Sequence, residues 1–236
     1  MSLKLSNVQI SYSGSQRPVL NIDFLEFTGT INFITGSNGS GKSTLLRGLS
    51  NIYDEVILDG YVELDGSSLN DINVGLVTQN PLASINLDLT FLENLILATT
   101  NGYSHISLLP QISSSSLQTI NHFLETFDSL SFVSGLLNKN ARNLSSGQQQ
   151  MLAILMRVIR YKKLLLLDEC TANLDANNTK TIIYILRELA EKGTIILFAT
   201  HQEELLQTVK SASFRIENGG IEVNRNEKNR NEKSKN

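Results

Sequence analysis

Gly36-Ser37-Asn38-Gly39-Ser40-Gly41-Lys42-Ser43-Thr44 is the stretch that decides the fold. It fits G-x-x-x-x-G-K-[ST], the phosphate-binding loop. The residues before it, 31–35, read as a short buried strand, and those after it place Leu45, Leu46 and Leu49 at helical spacing. The motif thus stands between a strand and a helix, where its chemistry needs it. Glycines let the backbone curl so that successive N–H groups surround one anion. The following helix aims its positive end at the same point. Lys42 then reaches the β- and γ-phosphates, and the Ser43 hydroxyl is placed to ligand Mg2+. The alternative, a glycine-rich turn with a chance lysine, has no use for the flanking strand and helix.

Upstream, residues 3–12 and 19–27 alternate apolar and polar, separated by the loop residues 13–18. They read as antiparallel strands leading into the phosphate-loop strand. Downstream, residues 54–65 are expected to hold two short strands around the turn dipeptide Asp59-Gly60. A further strand covers 74–78 and is stopped by Gln79-Asn80-Pro81. After Pro81 the period changes: Leu92, Leu95 and Ile96 share a helical face, as do Leu117, Ile120, Phe123 and Leu124, while 112–116 is serine-rich and loop-like. Residues of about 82–148 are read as a helical insert. The core resumes with the apolar run 163–168, a helix over about 176–191 ended by Gly193, and a strand over 194–200. Strands alternating with helices imply an α/β fold with a mostly parallel sheet covered on both faces. The last residues, 224–236, repeat Arg-Asn-Glu-Lys and offer nothing apolar to bury, so a disordered polar tail is expected.

Composition narrows the function classes. The 236 residues are 41% hydrophobic and 18% charged, ordinary for a folded globular chain. The single cysteine, Cys170, excludes an internal disulfide and suits a reducing compartment. It reads as a small packed residue rather than a nucleophile. No apolar run approaches the ~18 residues of a spanning helix, and the start, Met1-Ser2-Leu3-Lys4, is not a signal peptide. A cytosolic protein is expected, with any membrane role coming through a partner. The net charge is −3; the tail carries five cations against two carboxylates, a local +3, so the body carries −6. An acidic body argues against nucleic acid as a partner.

Two further stretches carry chemistry. Leu164-Leu165-Leu166-Leu167-Asp168-Glu169 is an apolar strand that delivers two carboxylates at its C-terminal end, where ligands bind in open parallel sheets. Asp168 is placed to hold Mg2+ and Glu169 to act as general base on an attacking water. The alternative, capping of the next helix, loses force beside a phosphate loop. Leu144-Ser145-Ser146-Gly147-Gln148 has capping-box spacing from Ser145 to Gln148. Its helix would present N–H groups, a hydroxyl and a glycine to a second phosphate; taken alone, it reads as an ordinary capped helix. Leu152, Leu155, Met156 and Ile159 are expected to face inward.

Together these stretches resemble the nucleotide-binding subunit of ATP-binding cassette (ABC) transporters. The family's phosphate loop matches 36–44, its carboxylate motif 164–169, and its Leu-Ser-Gly-Gly-Gln signature 144–148, with Ser146 in place of the first glycine. Its Q-loop glutamine matches Gln79, its D-loop Asn173-Leu174-Asp175, its switch histidine His201 and its adenine-stacking aromatic Tyr12. All seven occur in family order over about residues 3–223. The resemblance implies a P-loop NTPase core (about 1–81 and 149–223), a helical subdomain at about 82–148, and ATP with Mg2+ as ligands. It implies a head-to-tail dimer, or a paired nucleotide-binding subunit. Each ATP then lies between the P-loop of one copy and Ser145, Ser146, Gly147 and Gln148 of the other, with Asp175 nearby. Gln79 contacts Mg2+ or its water, and His201 orients Glu169 at the γ-phosphate. Separate transmembrane subunits would dock on the helical subdomain, at an apolar patch around Leu82, Ile85 and Leu87. A substrate-binding protein is left open as a further partner. Asn80-Pro81-Leu82-Ala83, Leu89-Thr90, Glu93-Asn94-Leu95 and Asp168-Glu169-Cys170-Thr171-Ala172 are similar to an importer subgroup described as aromatic amino-acid uptake ATPases, which usually has histidine at position 170.

The competing class is a soluble ABC ATPase acting on ribosomes or DNA. Ribosome-acting members usually fuse two cassettes, and DNA-acting members split the cassette with a long coiled coil; this chain has one cassette and no heptad array. A P-loop kinase or GTPase would leave the signature helix unexplained. His105 and His122 are assigned no chemistry.

Overall fold

β1 (Ser2–Tyr12) buries Leu3 and Leu5, then Val8 and Ile10, the period-two pattern of a strand with one covered face, stepped once between Leu5 and Val8. In the computed structural model, which describes residues 1–28, 31–69, 74–99, 113–159, 163–171, 174–202, 205–206 and 212–224, β1 is the centre of an antiparallel sheet. β2 (Leu20–Thr28) lies on one side of it in the register Leu3↔Phe27 and Ile10↔Leu20. β4 (Val56–Leu64) lies on the other, followed by β5 (Ser67–Ser68).

The expected break at Asp59-Gly60 is absent: β4 runs through it as one strand. The register against β1 steps from Ser6↔Tyr61 to Gln9↔Asp59, so Asn7 and Val8 together oppose Gly60. This is a β-bulge. It brings the Asn7 carbonyl so close that a Cβ on Gly60 would sit 2.3 Å from it. The tight turn belongs to the other Asp-Gly pair, Asp65-Gly66, where φ is +50° and +80° and two residues join Leu64 to its partner Ser67. Two successive positive φ values are what a two-residue hairpin turn requires.

β3 (Ile31–Thr35) is flanked by β8 (Ile195–Ala199) and β9 (Ala212–Glu217), both parallel to it, and β10 (Gly220–Asn224) runs antiparallel to β9. β3 and β8 are buried almost throughout, as parallel strands covered on both faces must be. α1 (Lys42–Ser50) packs Leu45, Leu46 and Leu49 onto this unit. All these elements lie in one compact unit, Met1–Ile72 with Ile195–Asn236. Of the expected tail, Asn224 closes β10 and 225–236 lie outside the described residues.

The second unit is Asn73–Thr194. β6 (Val74–Val77) and β7 (Leu164–Asp168) pair in parallel, with α2 (Phe91–Thr99), α3 (Ser114–Thr126), α4 (Ser146–Val158) and α5 (Ala176–Glu191) beside them. Short 3-10 turns at Pro81–Ala83, Asp128–Gly135 and Ala141–Asn143 complete the connections. The serine run is not all loop. Ser113 caps α3 through its hydroxyl, which accepts the Ser116 N–H at 3.1 Å, and residues 114–116 form the first turn. Serine's short hydroxyl side chain, which disfavours helix interiors, favours this position. α4 carries more than one inward stripe. Met151 to Leu155 are all buried because α2, α5 and β6 surround it, while Met156 is half-exposed. In the expected docking patch, Leu82 is exposed and Leu87 half-buried, but Ile85 is buried and does not contribute. Among the described residues, no helix is long and apolar enough to cross a membrane.

Candidate nucleotide site

β3 ends at Thr35, and residues 36–41 then turn back to start α1. Gly36 has φ +146°, and a Cβ there would sit 2.6 Å from the backbone oxygen of Ile216 and 2.6 Å from Ser40 Oγ. Only glycine fits this turn. Gly41, at φ +110°, occupies the cap position of α1 and offers no side chain to its first N–H groups. Lys42 is buried, and its Nζ donates to the carbonyls of Gly36 at 3.0 Å and Ser37 at 3.1 Å. The ammonium is thereby held across the loop rather than extended into solvent. Ser40 Oγ is buried with no hydrogen-bond partner among the described residues. A glycine cradle, a fixed ammonium and an orphaned hydroxyl suit the phosphates of a nucleotide. Ser37, Asn38 and Gly39 form the exposed outer wall of the turn, and Ser43 and Thr44 open α1.

The same unit gathers two of the outlying residues. Tyr12, at the end of β1, is half-buried, and its hydroxyl is hydrogen-bonded to Thr44 Oγ1 at 3.2 Å, so its ring stands beside the start of α1. That bond was not legible in the sequence, where Tyr12 and Thr44 are 32 residues apart. Parallel pairing of Ile34 with Ala199 brings the ends of β3 and β8 to one edge. Thr200 continues the ladder by donating to the Ile34 carbonyl at 3.0 Å, and exposed His201 follows directly after it.

In the second unit, Val77 pairs with Leu167, so Gln79 and the carboxylates Asp168 and Glu169 leave adjacent parallel strands at the same edge. Gln79 is exposed; both carboxylates are half-buried. Glu169 has φ +48°. For a non-glycine residue this left-handed conformation costs about 1–2 kcal/mol, and such outliers cluster at functional sites. Cys170 beside it is buried, and burial pushes its thiol pKa up, which leaves it inert at neutral pH. Among the described residues no group of three or more His, Cys, Asp or Glu side chains forms a metal cluster. Mg2+ at a nucleotide needs none, since it is held by one or two protein oxygens, water and the phosphates. Ser43, Asp168 and Gln79, the side chains expected to hold it, each carry an oxygen.

The signature stretch forms the full capping box its spacing predicts: Gln148 N–H donates to Ser145 Oγ at 3.3 Å, and Ser145 N–H donates to Gln148 Oε1 at 3.1 Å. Ser145 and Ser146 are exposed, so the hydroxymethyl that replaces a glycine at 146 projects into open space. Gly147 is buried. Asp175 caps α5, its Oδ1 accepting the N–H groups of Asn177 and Asn178 at 2.9 Å each. The Asn178 N–H is the leading cause that holds the Asp175 carboxyl below its usual pKa. Asn173 of the expected D-loop lies outside the described residues, as does His105. Sequence reasoning passed over Asn178, three residues after the cap Asp175; the Asp-x-x-Asn spacing was the available signal. Thr90 and Glu93, cited from the sequence only for a family likeness, cap α2 reciprocally, with Thr90 N–H donating to Glu93 Oε2 at 2.7 Å and Glu93 N–H to Thr90 Oγ1 at 3.2 Å.

A glycine loop at the end of a central parallel strand, its lysine drawn across it and its helix opened without a side-chain cap, defines a nucleoside-triphosphate-binding protein of the P-loop class. The sequence matches the family described as ABC transporter over residues 19–172, and the chain belongs to that family. It is 33% identical to the energy-coupling factor transporter ATP-binding protein of Thermotoga maritima, over 94% of this chain and 81% of that protein. It is 27% identical to the cell division ATP-binding protein of Streptococcus pneumoniae, over 93% of each chain. A crystal structure of a nucleotide-free ATP-binding cassette from an ABC transporter shares the fold, with a TM-score of 0.77 and 23% identity over 95% of this chain and 92% of that one. The protein is accordingly an ATP-binding, ATP-hydrolysing subunit of the ABC transporter type.

Proposed function

We propose that two copies of this chain, or this chain and a related subunit, close head to tail on ATP and so drive a membrane transporter. Lys42 and the loop 36–41 hold the phosphates, and Tyr12 stacks on adenine. Ser43, Asp168 and Gln79 hold Mg2+, whose charge would offset that of the β- and γ-phosphates. Glu169 takes the proton of the attacking water, and His201 orients that reaction. Transmembrane subunits dock on the part of the chain at about 82–148, through exposed Leu82 and half-buried Leu87. The ATPase is then peripheral on the cytoplasmic face of the membrane. A substrate-binding protein is a further partner if the transporter is an importer.

One observation carries the two-copy reading: the capped end of α4 exposes Ser145 and Ser146 to solvent. That placement suits a surface used by another molecule. Replacing Glu169 with Gln tests the whole reading. An amide of the same shape cannot accept the proton, and general-base contributions are about 10²–10⁴-fold. Glu169→Gln should nearly stop hydrolysis, retain ATP, and shift from monomer to dimer in size-exclusion chromatography only when ATP is present. Adding Ser145→Arg should abolish the shift. Wild-type hydrolysis in Glu169→Gln would make another group the base, and a persistent monomer in ATP would remove the two-copy interface.

A further inference from the structure

Gly147 has ordinary helical backbone; it is not among the positive-φ glycines of the described residues. Its lack of a side chain is therefore a matter of space, and the atoms nearest that space belong to one residue. A Cβ on Gly147 would sit 2.3 Å from Asn178 Cγ, 2.6 Å from Nδ2 and 2.7 Å from Oδ1. The whole amide of Asn178 thus lies flat against the first turn of α4. The same amide donates from Nδ2 to Asp175 Oδ2 at 2.6 Å, while the other carboxylate oxygen takes two backbone N–H groups. The Asp175 carboxylate is held at three points, and the Asn178 side chain cannot turn from Gly147 without leaving it.

We propose that Asn178 is a positioning residue that locks the start of α5 to the start of α4, so that Asp175 and the signature residues 145–148 meet a second copy as one rigid surface. This rests on the reading of 145–148 as the face that closes on ATP bound to another copy. The link needs an amide. Asn178 donates to one neighbour and presents its flat face to the other, whereas an ionised carboxylate has no proton to donate. Two carboxylates at that distance repel, so Asn178→Asp would replace an attraction with a repulsion. The neighbours in the first turns of α4 and α5 — Ser145, Ser146, Gln148, Ala176 and Asn177 — are neutral, and Lys180 stands one turn further along α5.

Asn178→Asp is the test, made in the full chain, with ATP turnover and backbone amide exchange at 145–150 read between pH 8 and pH 6. At pH 8, kcat should fall about tenfold, the effect of losing a charge-assisted hydrogen bond, while KM for ATP stays within about twofold. Amide exchange at 145–150 in the nucleotide-free chain should quicken relative to wild type. At pH 6 both effects should persist, because the exposed Asp175 carboxylate, held below its usual pKa by backbone N–H groups, stays ionised there. Asn178→Asp keeps the side chain's size and loses its donor, so a loss of kcat as large as in Asn178→Ala separates a specific donor from mere filling of space. Wild-type kcat and exchange in Asn178→Asp at every pH would overturn the proposal. A changed exchange pattern, with Glu169→Gln still monomeric in ATP, would keep the lock and discard the two-copy reading. The reverse pair of results would discard the lock alone.

Discussion

Two helix ends, one in each compact unit, are built in opposite ways. α1 opens on Gly41, with no side-chain cap on its first N–H groups and an ammonium held across the loop by two carbonyls. α4 opens on a reciprocal box in which Ser145 and Gln148 each satisfy the other's backbone N–H. The first is electrically incomplete by itself: an anion supplies what the chain withholds. The second is complete by itself, and under the proposed two-copy reading the Ser145 hydroxyl shares or releases the Gln148 N–H to meet a phosphate. The lesson is a division of labour. The end assigned to ATP in the isolated chain leaves its polar groups uncapped, and the end proposed to meet a second copy is capped and complete on its own.

The largest expected effect comes from breaking the incomplete end. Lys42→Ala removes the one side-chain cation of the loop. Hydrogen bonds to a charged group are worth about 1.5–3 kcal/mol each, so ATP affinity should fall on the order of 10²-fold and turnover should vanish, with the circular dichroism spectrum unchanged. Unaltered affinity by titration calorimetry would mean that the loop does not hold the triphosphate. Next in size is the aromatic support beside that end. Tyr12→Ala removes a ring whose stacking is worth about 0.5–1.5 kcal/mol beyond its area. ATP should bind up to about tenfold more weakly, and GTP should lose affinity in parallel, because stacking reads no base edge. A loss confined to ATP would point to a base-specific contact instead. The smallest effect belongs to the self-capped end. Ser145→Ala should cost about 1 kcal/mol of stability in urea unfolding and leave ATP affinity of the isolated chain where it was. A drop in that affinity would erase the distinction between the two ends.

The elements that read true in the sequence are those whose signal is local. The loop 36–44 is a set of backbone demands written in glycine. The α5 span came from a four-residue apolar period closed by Gly193, and the box at Ser145 from a three-residue spacing. Each depends on neighbours within a turn or two, so a linear reading captures it. The two Asp-Gly pairs mark where this stops. Asp65-Gly66 is a hairpin turn and Asp59-Gly60 is the flat partner of a bulge, and the choice is made by Asn7 and Val8 of β1, more than fifty residues away in sequence. The same holds for α4, which is buried on several sides because other helices and a strand surround it, and for Gly147, whose need for space is set by Asn178 on another helix. Sequence alone determined the class of protein and the order of its motifs, because that chemistry is local and its spacing is strict. Tertiary structure alone decided which glycine is a turn and which a contact, which face of a helix is inside, and that Tyr12 reaches Thr44. Those outcomes depend on which distant segments pack together, and packing partners leave no mark at a fixed spacing along the chain.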